Sequence, residues 1–253
     1  MSRLSVATWN VNGVRAREVQ FHAWLDVASP DVVCLQEIKA APSVLSERLR
    51  DLDGYWNVWH GTGGYSGVSL HLRKERFPDR PEFSHPAFDI ETRIATASAG
   101  GIEFASIYVP NGGKDFEAKL WFLGALREYA AALRDEGRSA LLCGDLNVAL
   151  TDADLHPKEQ RKKDQIGTRP EERDLLGSVI EQGLVDVGRS LDPDNDRLYT
   201  WWAPWRSLRE RNIGWRIDYV LASEALYERV VGCEVQADVG TSDHAPVLAT
   251  FEV

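Results

Sequence analysis

Short apolar runs recur along this chain at strand length, separated by longer segments with helical period. LSVATW (4–9), VVCLQ (32–36), GVSLHL (67–72), RIATASA (93–99), IEFASIYV (102–109), SALLCGD (139–145), IDYVLA (217–222) and PVLATFEV (246–253) read as strands. KDFEAKLWFLGALREYAAALRDEG (114–137) reads as a helix, because Phe116, Leu120, Leu123, Leu126, Ala130 and Leu133 return at helical spacing and Gly137 stops it. A second helix starts near Thr168, with Glu171 three residues on as a capping-box partner, and ends at Gly183. A third covers 15–28 and is closed by Pro30. No repeat, low-complexity tract or Gly/Ser linker divides the chain, so residues 1–253 are expected to form one domain. Many strands and few helices point to an α/β fold in which two mixed sheets pack face to face under flanking helices. A doubly wound parallel sheet competes, but the phosphate-cradling patterns GxGxxG and GxxxxGK(S/T) are missing.

Composition narrows the function. With 43% apolar and 27% charged residues the chain has the makeup of an ordinary globular protein. The start, MSRLSVATWN, lacks a basic segment followed by a long apolar run, and no stretch approaches a membrane span. A cytoplasmic monomer without membrane association is expected. Cys34, Cys143 and Cys233 are odd in number and far apart, each in or beside an apolar run, so they read as buried free thiols rather than a disulfide framework or zinc site. The net charge of −10 argues against holding nucleic acid through a broad basic face. Such binding would have to be local, or use metal ions to offset carboxylates. Two stretches run against the acidic balance: 156–173 holds six Lys/Arg against four acids, and 205–216 holds four Arg against one.

Polar residues collect at the ends of the apolar strands, in TWNVNG (8–13), LQEIK (35–39), YVPNGG (108–113), CGDLN (143–147), GWRIDY (214–219) and TSDHAP (241–246). Loops at strand ends are where rigid scaffolds place reactive groups. Singly, each has a plainer reading: Asn10 and Asn147 as turn formers, Glu37 and Asp145 as solvated strand caps, His244 as a satisfied surface histidine. Together their inventory is that of metal-assisted phosphoester cleavage. Glu37, Asp243 and Asn10 offer the oxygen ligands that a hard cation such as Mg²⁺ requires. Asp145 can orient or deprotonate water, while His244, Asn147 and Tyr108 can donate to phosphate oxygens. Asp218 can hold a histidine in its donor form. The one serine-hydrolase candidate, GYSGV (64–68), lacks the second glycine of GxSxG.

TWNVNGVRA, LQEIK, GYSGV, YVPNG, CGDLNVA, GWRIDYVLAS and SDHAPV, taken in order over residues 4–253, resemble the exonuclease III and apurinic/apyrimidinic (AP) endonuclease family of the wider endonuclease/exonuclease/phosphatase superfamily. The resemblance implies a four-layered α/β sandwich. It also implies Glu37 as principal metal ligand with Asn10 and Asp243 nearby, Mg²⁺ as the ion and Mn²⁺ as an alternative. Asp145 resembles the water-activating acid and Asn147 its phosphate-positioning neighbour; no motif decides which group takes the proton. Asp218 resembles the partner of His244, and Tyr108 the phosphate-contacting tyrosine. The implied reaction is attack of water on the phosphate 5′ to a damaged nucleotide, leaving a 3′-hydroxyl.

The same chemistry serves small-molecule and lipid phosphoesterases, so the flanking loops must select the substrate. Trp201 and Trp215 match the aromatic pair that walls the pocket for a flipped-out sugar in AP endonucleases, whereas Trp202 and Trp205 read equally well as core. An abasic nucleotide has lost its base stacking and is cheap to extrude. Arg15, Lys39, Asn111 and Lys114 match positions that meet the DNA backbone. Duplex DNA with abasic sites or blocked 3′ ends is the expected partner. His156 departs from the family pattern, standing where many AP endonucleases have Asn, and its loop is longer. That departure leaves the balance of AP endonuclease, 3′-exonuclease and 3′-phosphatase activities open. The remaining alternative is a catalytically silent DNA-binding domain, against which the intact set from Asn10 to His244 argues.

Overall fold

The computed structural model describes residues 2–160 and 164–253, so Arg161, Lys162 and Lys163 of the basic stretch 156–173 lie outside the described residues. Twelve strands among the described residues form two sheets of six. The first sheet contains β1 (Arg3–Asn10), β2 (Val32–Gln36), β3 (Tyr55–His60), β4 (Val68–Arg73), β11 (Val230–Val235) and β12 (Val247–Glu252). The second contains β5 (Phe83–Ser84), β6 (Ile94–Ala99), β7 (Ile102–Tyr108), β8 (Ser139–Asp145), β9 (Leu184–Asp186) and β10 (Asp218–Ser223). Their orders are β11-β12-β1-β2-β4-β3 and β5-β6-β7-β8-β10-β9.

The sheets pack through one apolar layer in which Val6, Cys34, Leu70 and Phe251 of the first meet Phe104, Leu141, Cys143 and Val220 of the second. Helix α1 (Glu18–Ala28) covers the outside of the first sheet with Phe21, Trp24 and Leu25. Helices α3 (Phe116–Asp135) and α4 (Pro170–Ile180) cover the second with Phe122, Leu123, Leu126, Leu176 and Val179. Three short helices, α2 (Glu47–Arg50), α5 (Val187–Leu191) and α6 (Glu224–Tyr227), fill connections. The result is the expected sandwich of helix, sheet, sheet and helix.

Four strands escaped the hydrophobic pattern: β3, β5, β9 and β11. They are the four sheet edges. An edge strand pairs on one side and is half wet, so it carries no continuous apolar run; β11 has no fully buried residue. Cys233 lies there and is half-buried, unlike Cys34 and Cys143, which are buried as expected. The capping residue of α4 also differs. Glu172 accepts from the backbone N–H of Arg169 at 2.9 Å, so the helix starts at Pro170, and Glu171 is exposed. Gly137 follows the cap of α3 in the left-handed conformation, φ 66°, whereas α4 ends at Ile180, short of the expected Gly183, which is left-handed at φ 83° in the turn beyond.

Each sheet contains one parallel pair, β1 with β2 and β7 with β8. Helices α1 and α3 make the crossovers these pairs need. Four carboxyl ends therefore open toward one rim, carrying Asn10, Glu37, Tyr108 and Asp145. Strand β10 runs antiparallel to β8 with Asp218 opposite Asp145, and β12 runs antiparallel to β1, so the starts of β10 and β12 reach the same rim.

Candidate active site

Glu37 follows β2 in a left-handed turn, φ 50°, a conformation that costs a non-glycine residue about 1–3 kcal/mol and that the surrounding contacts must impose. Gly13 N–H donates to its carbonyl at 2.7 Å, and Ile38 and Lys39 N–H donate to Gly67 and Ser66 carbonyls. The GYSGV loop is thus the prop of the Glu37 turn. A Cβ on Gly67 would lie 2.6 Å from Ile38 Cγ1, so the approach requires glycine.

At the rim the side chains form a chain of bonds from Tyr108 to Asn147, with the His244–Asp218 pair beside it. Tyr108 OH donates to Glu37 Oε1 at 2.8 Å. Asn10 Nδ2 donates to Glu37 Oε1 at 3.1 Å and to Asp145 Oδ2 at 2.8 Å. Asn147 N–H donates to Asp145 Oδ1 at 2.9 Å. His244 Nδ1 donates to Asp218 Oδ2 at 2.9 Å, and its Nε2 stands 3.9 Å from Asp145 Oδ2. That last gap is too wide for a hydrogen bond and is bridgeable by an oxygen of a bound group.

The charges follow from these contacts. Burial pushes the Asp145 carboxyl up to about 7, against the pull of His244. Burial would lower the His244 imidazole, but Asp218, Asp145 and Asp243 raise it to about 10, so it is a cation at neutral pH. Burial also works to raise Glu37, yet the Lys39 ammonium, Asn10 and Tyr108 outweigh it and hold the carboxylate below its usual range. Asp243 is likewise held low despite burial, by His244 and by donors from Trp201 and Asn12.

A cavity of about 380 Å³ opens over this set. Of the residues singled out in the sequence, Glu37, Tyr108, Asn111, Asp145, Asn147, Trp201, Trp215, Asp243 and His244 line it. Asn10 and Asp218 lie directly behind, bonded to Asp145 and His244. Trp201 and Trp215 meet edge to face, with centroids 5.8 Å apart, and Trp201 Nε1 donates to Asp243 Oδ2 at 3.0 Å. Trp202 is core, whereas Trp205 is exposed. A larger cavity of about 900 Å³ beneath residues 197–212 shares only Asp243 with the site and lacks its carboxylate and histidine set.

Several expected roles meet a different geometry. Asn10, expected among the metal ligands, turns its amide nitrogen to the carboxylates, because its Oδ1 accepts from Asn12 N–H at 3.0 Å. Lys39, expected on the DNA backbone, is drawn to Glu37 Oε2 at 2.6 Å and donates to Asn12 at 2.7 Å. Asn147 Nδ2 donates to Val109 O, and its Oδ1 accepts from Asn111. Lys114 lies over the Tyr65 ring, outside the cavity, and Arg15 is exposed on the rim side of α1. The basic stretch 205–216 is half structural. Arg216 is buried against Asp154 and Asp186, and Arg209 holds the carbonyls of Ala237, Val239 and Ser242, leaving Arg206 and Arg211 exposed.

Residues without chemical character of their own complete the site. Thr200 Oγ1 accepts from the N–H groups of Ile217 and Asp218, and Ser242 Oγ donates to Asn10 O while accepting from His244 N–H. Trp9 Nε1 donates to the His244 carbonyl. Gln165, Ile166, Gly167 and Ile217 supply cavity wall. Only the placement of Ser242 beside the Asp-His pair was a signal in the sequence.

A sequence model of the Endonuclease/Exonuclease/phosphatase family matches residues 7–244. The chain belongs to this family. An exodeoxyribonuclease of Bacillus subtilis (strain 168) is 34% identical over 250 residues, spanning 96% of this chain and 98% of that protein. Among solved structures, an AP endonuclease from Archaeoglobus fulgidus is similar with a TM-score of 0.86 at 31% identity, covering 99% of this chain and 100% of that one. A 3′ phosphatase from Neisseria bound to a product DNA hairpin gives 0.88 at 29% identity, covering 99% and 100%. The two-sheet sandwich is therefore the fold of the family's AP endonucleases.

Acidic residues and a histidine cluster at the rim: Asp145, Asp218 and His244 bring ligand atoms within 4.8 Å of one another. A second group, His60, His85 and Asp89, does so elsewhere. There the imidazoles stack 11° from parallel, so their ring planes do not converge on a common ion. Among the described residues no helix is long and apolar enough to cross a membrane.

Proposed function

We propose that this chain is a metal-dependent DNA-repair nuclease that hydrolyses the phosphodiester 5′ to an abasic site in duplex DNA. 3′–5′ exonuclease and 3′-phosphatase or phosphodiesterase activities would belong to the same centre. The observation that carries the reading is a single cavity holding the Glu37, Tyr108, Asp145 and His244 set at its floor and the Trp201–Trp215 pair as its wall. A small phosphoester has no use for two indoles beside its phosphate; a base-free sugar turned out of a helix does.

The division of labour follows from the charges. Asp145, with its carboxyl near neutrality, accepts a proton from the attacking water. The His244 cation, fixed by Asp218, donates from Nε2 to a phosphate oxygen and offsets the charge that develops there. Tyr108 and Asn147 orient the phosphate from the neighbouring carboxyl ends of the parallel strands β7 and β8. Glu37 and Asp243 fit a hard divalent cation such as Mg²⁺ or Mn²⁺: both are held ionised, and Glu37 Oε2 already attracts the Lys39 ammonium. When bound, the ion supplies Lewis-acid polarisation of the phosphate. Because the chain is acidic overall, DNA contact falls to local groups such as Arg15 and Lys114, which position the duplex without reading its sequence.

The test is incubation of a duplex carrying one stable abasic analogue with Mg²⁺ or with EDTA, followed by gel separation. Scission 5′ to the analogue with Mg²⁺ and none with EDTA is expected. Absence of scission with Mg²⁺, alongside hydrolysis of a soluble phosphoester, would replace DNA by a small-molecule substrate. Binding without turnover of either would leave a silent DNA-binding domain.

A further inference from the structure

Beneath the cavity floor lies a charged pair that the reaction does not touch. Lys119 of α3 and Glu172 of α4 form an ion pair whose side chains are both fully buried. The ammonium has three protons and three acceptors: Glu172, the Asn147 carbonyl at 2.7 Å and the Asn111 carbonyl at 3.2 Å. The carboxylate in turn accepts from the N–H of Gly167 at 2.5 Å and of Arg169 at 2.9 Å. One pair therefore joins the loop after β7, the loop after β8 and the 165–169 loop, each of which supplies cavity wall.

Burying two charges seldom stabilises a fold more than an apolar pair of the same volume would. Their arrangement here does something an apolar pair cannot. Asn147 sits at φ 53°, a left-handed conformation that asparagine tolerates but that needs outside support, and its carbonyl points inward to the ammonium. The side chain on that backbone spans Val109 O and Asn111 Nδ2. Gly167 packs against both the Asn147 carbonyl and the Trp215 ring, and its own carbonyl accepts from Ala149 N–H at 2.8 Å.

We propose that Lys119 and Glu172 are positioning residues that set Asn147 in register with Asp145. The inference rests on the phosphate-orienting role assigned to Asn147 above. Lys119→Met/Glu172→Gln removes both charges together and keeps an acceptor for the Gly167 and Arg169 N–H groups. Its kcat and KM on the abasic-analogue duplex with Mg²⁺, and its melting temperature, are compared with wild type, with Asn147→Ala and with the triple variant.

A displacement of this kind is expected to lower kcat about 10- to 100-fold with KM little changed and melting preserved. In the Asn147→Ala background the same pair of substitutions is expected to cost less than about 3-fold, because they act through that residue. Wild-type kcat in the paired variant, or an equal loss in the Asn147→Ala background, overturns the positioning role alone. Wild-type turnover by Asn147→Ala itself overturns the role of Asn147 first, and the relay with it. Should the paired variant fail to fold, Glu172→Gln alone is measured in both backgrounds. A smaller kcat loss, about 3- to 10-fold and again absent in Asn147→Ala, is expected, and additivity refutes the proposal.

Discussion

Gly167→Ala probes whether the Trp215 wall selects an abasic nucleotide. Gly167 has φ 92°, and a Cβ there would lie 2.8 Å from Trp215 Cζ3 and 3.3 Å from the Asn147 carbonyl. Ordinary contact begins at 3.4 Å, so the indole must retreat by about 0.6 Å or the loop must shift. The backbone conformation adds about 1–2 kcal/mol for a residue with a Cβ. Since a misplacement of about 1 Å in a positioning group can cost about 100-fold, a retreat of this size is worth roughly 10-fold. The assay is single-turnover cleavage of a duplex with one abasic analogue, set beside hydrolysis of a small diester such as bis(p-nitrophenyl) phosphate under the same Mg²⁺. Cleavage of the abasic duplex should fall roughly 10-fold while the small diester, which has no sugar to seat against the indole wall, is hydrolysed at nearly the wild-type rate. Wild-type cleavage of the abasic duplex by a folded variant would show that the wall is not used. Equal losses on both substrates would show that the substitution acts on the phosphate-binding floor.

Asp145→Asn and His244→Asn should each lower kcat by about 10²- to 10⁴-fold while DNA affinity, followed by fluorescence anisotropy, survives. Near-normal turnover in both would remove these residues from the chemistry. Gly67→Ala, whose Cβ would press on Ile38 Cγ1 beneath the Glu37 turn, should raise the Mg²⁺ concentration needed for half-maximal cleavage; an unchanged titration would mean that the prop tolerates the methyl. His71 supplies a pH test of stability, because full burial lowers its imidazole to about 3 while Ser69 and Asn57 hold the neutral ring. The unfolded chain takes up the proton near 6.5 and the folded chain does not, so stability present above 6.5 should drain away as pH falls toward 3, at about 1.4 kcal/mol per pH unit. Urea unfolding at pH 7.5 and 5.5 should show a larger loss for wild type than for His71→Gln, and equal losses would refute the assignment.

Residues whose neighbours are local declared themselves in the sequence. Central strands such as VVCLQ and SALLCGD are buried on both faces and carry unbroken apolar runs, and α3 must show one apolar stripe; each constraint leaves a visible pattern. The chemical residues were legible for the complementary reason that charge at the end of a buried strand is costly without a partner, which marks Glu37, Asp145 and His244 before any partner is known. What the tertiary structure decided was the pairing. The edge strands β3, β5, β9 and β11 exist because a neighbour offers hydrogen bonds, not because their own residues demand burial. Asn10 became a donor between two carboxylates, and Arg216 a core residue, only when residues far along the chain arrived beside them. Nothing in the helical pattern sets Lys119 and Glu172 apart, and the packing of α3 on α4 encloses them against each other. Sequence alone determined which residues had chemistry to offer; the packing of two sheets determined which oxygens and nitrogens face one another, because those distances depend on backbone separated by more than two hundred positions, as for Asn10 and Ser242.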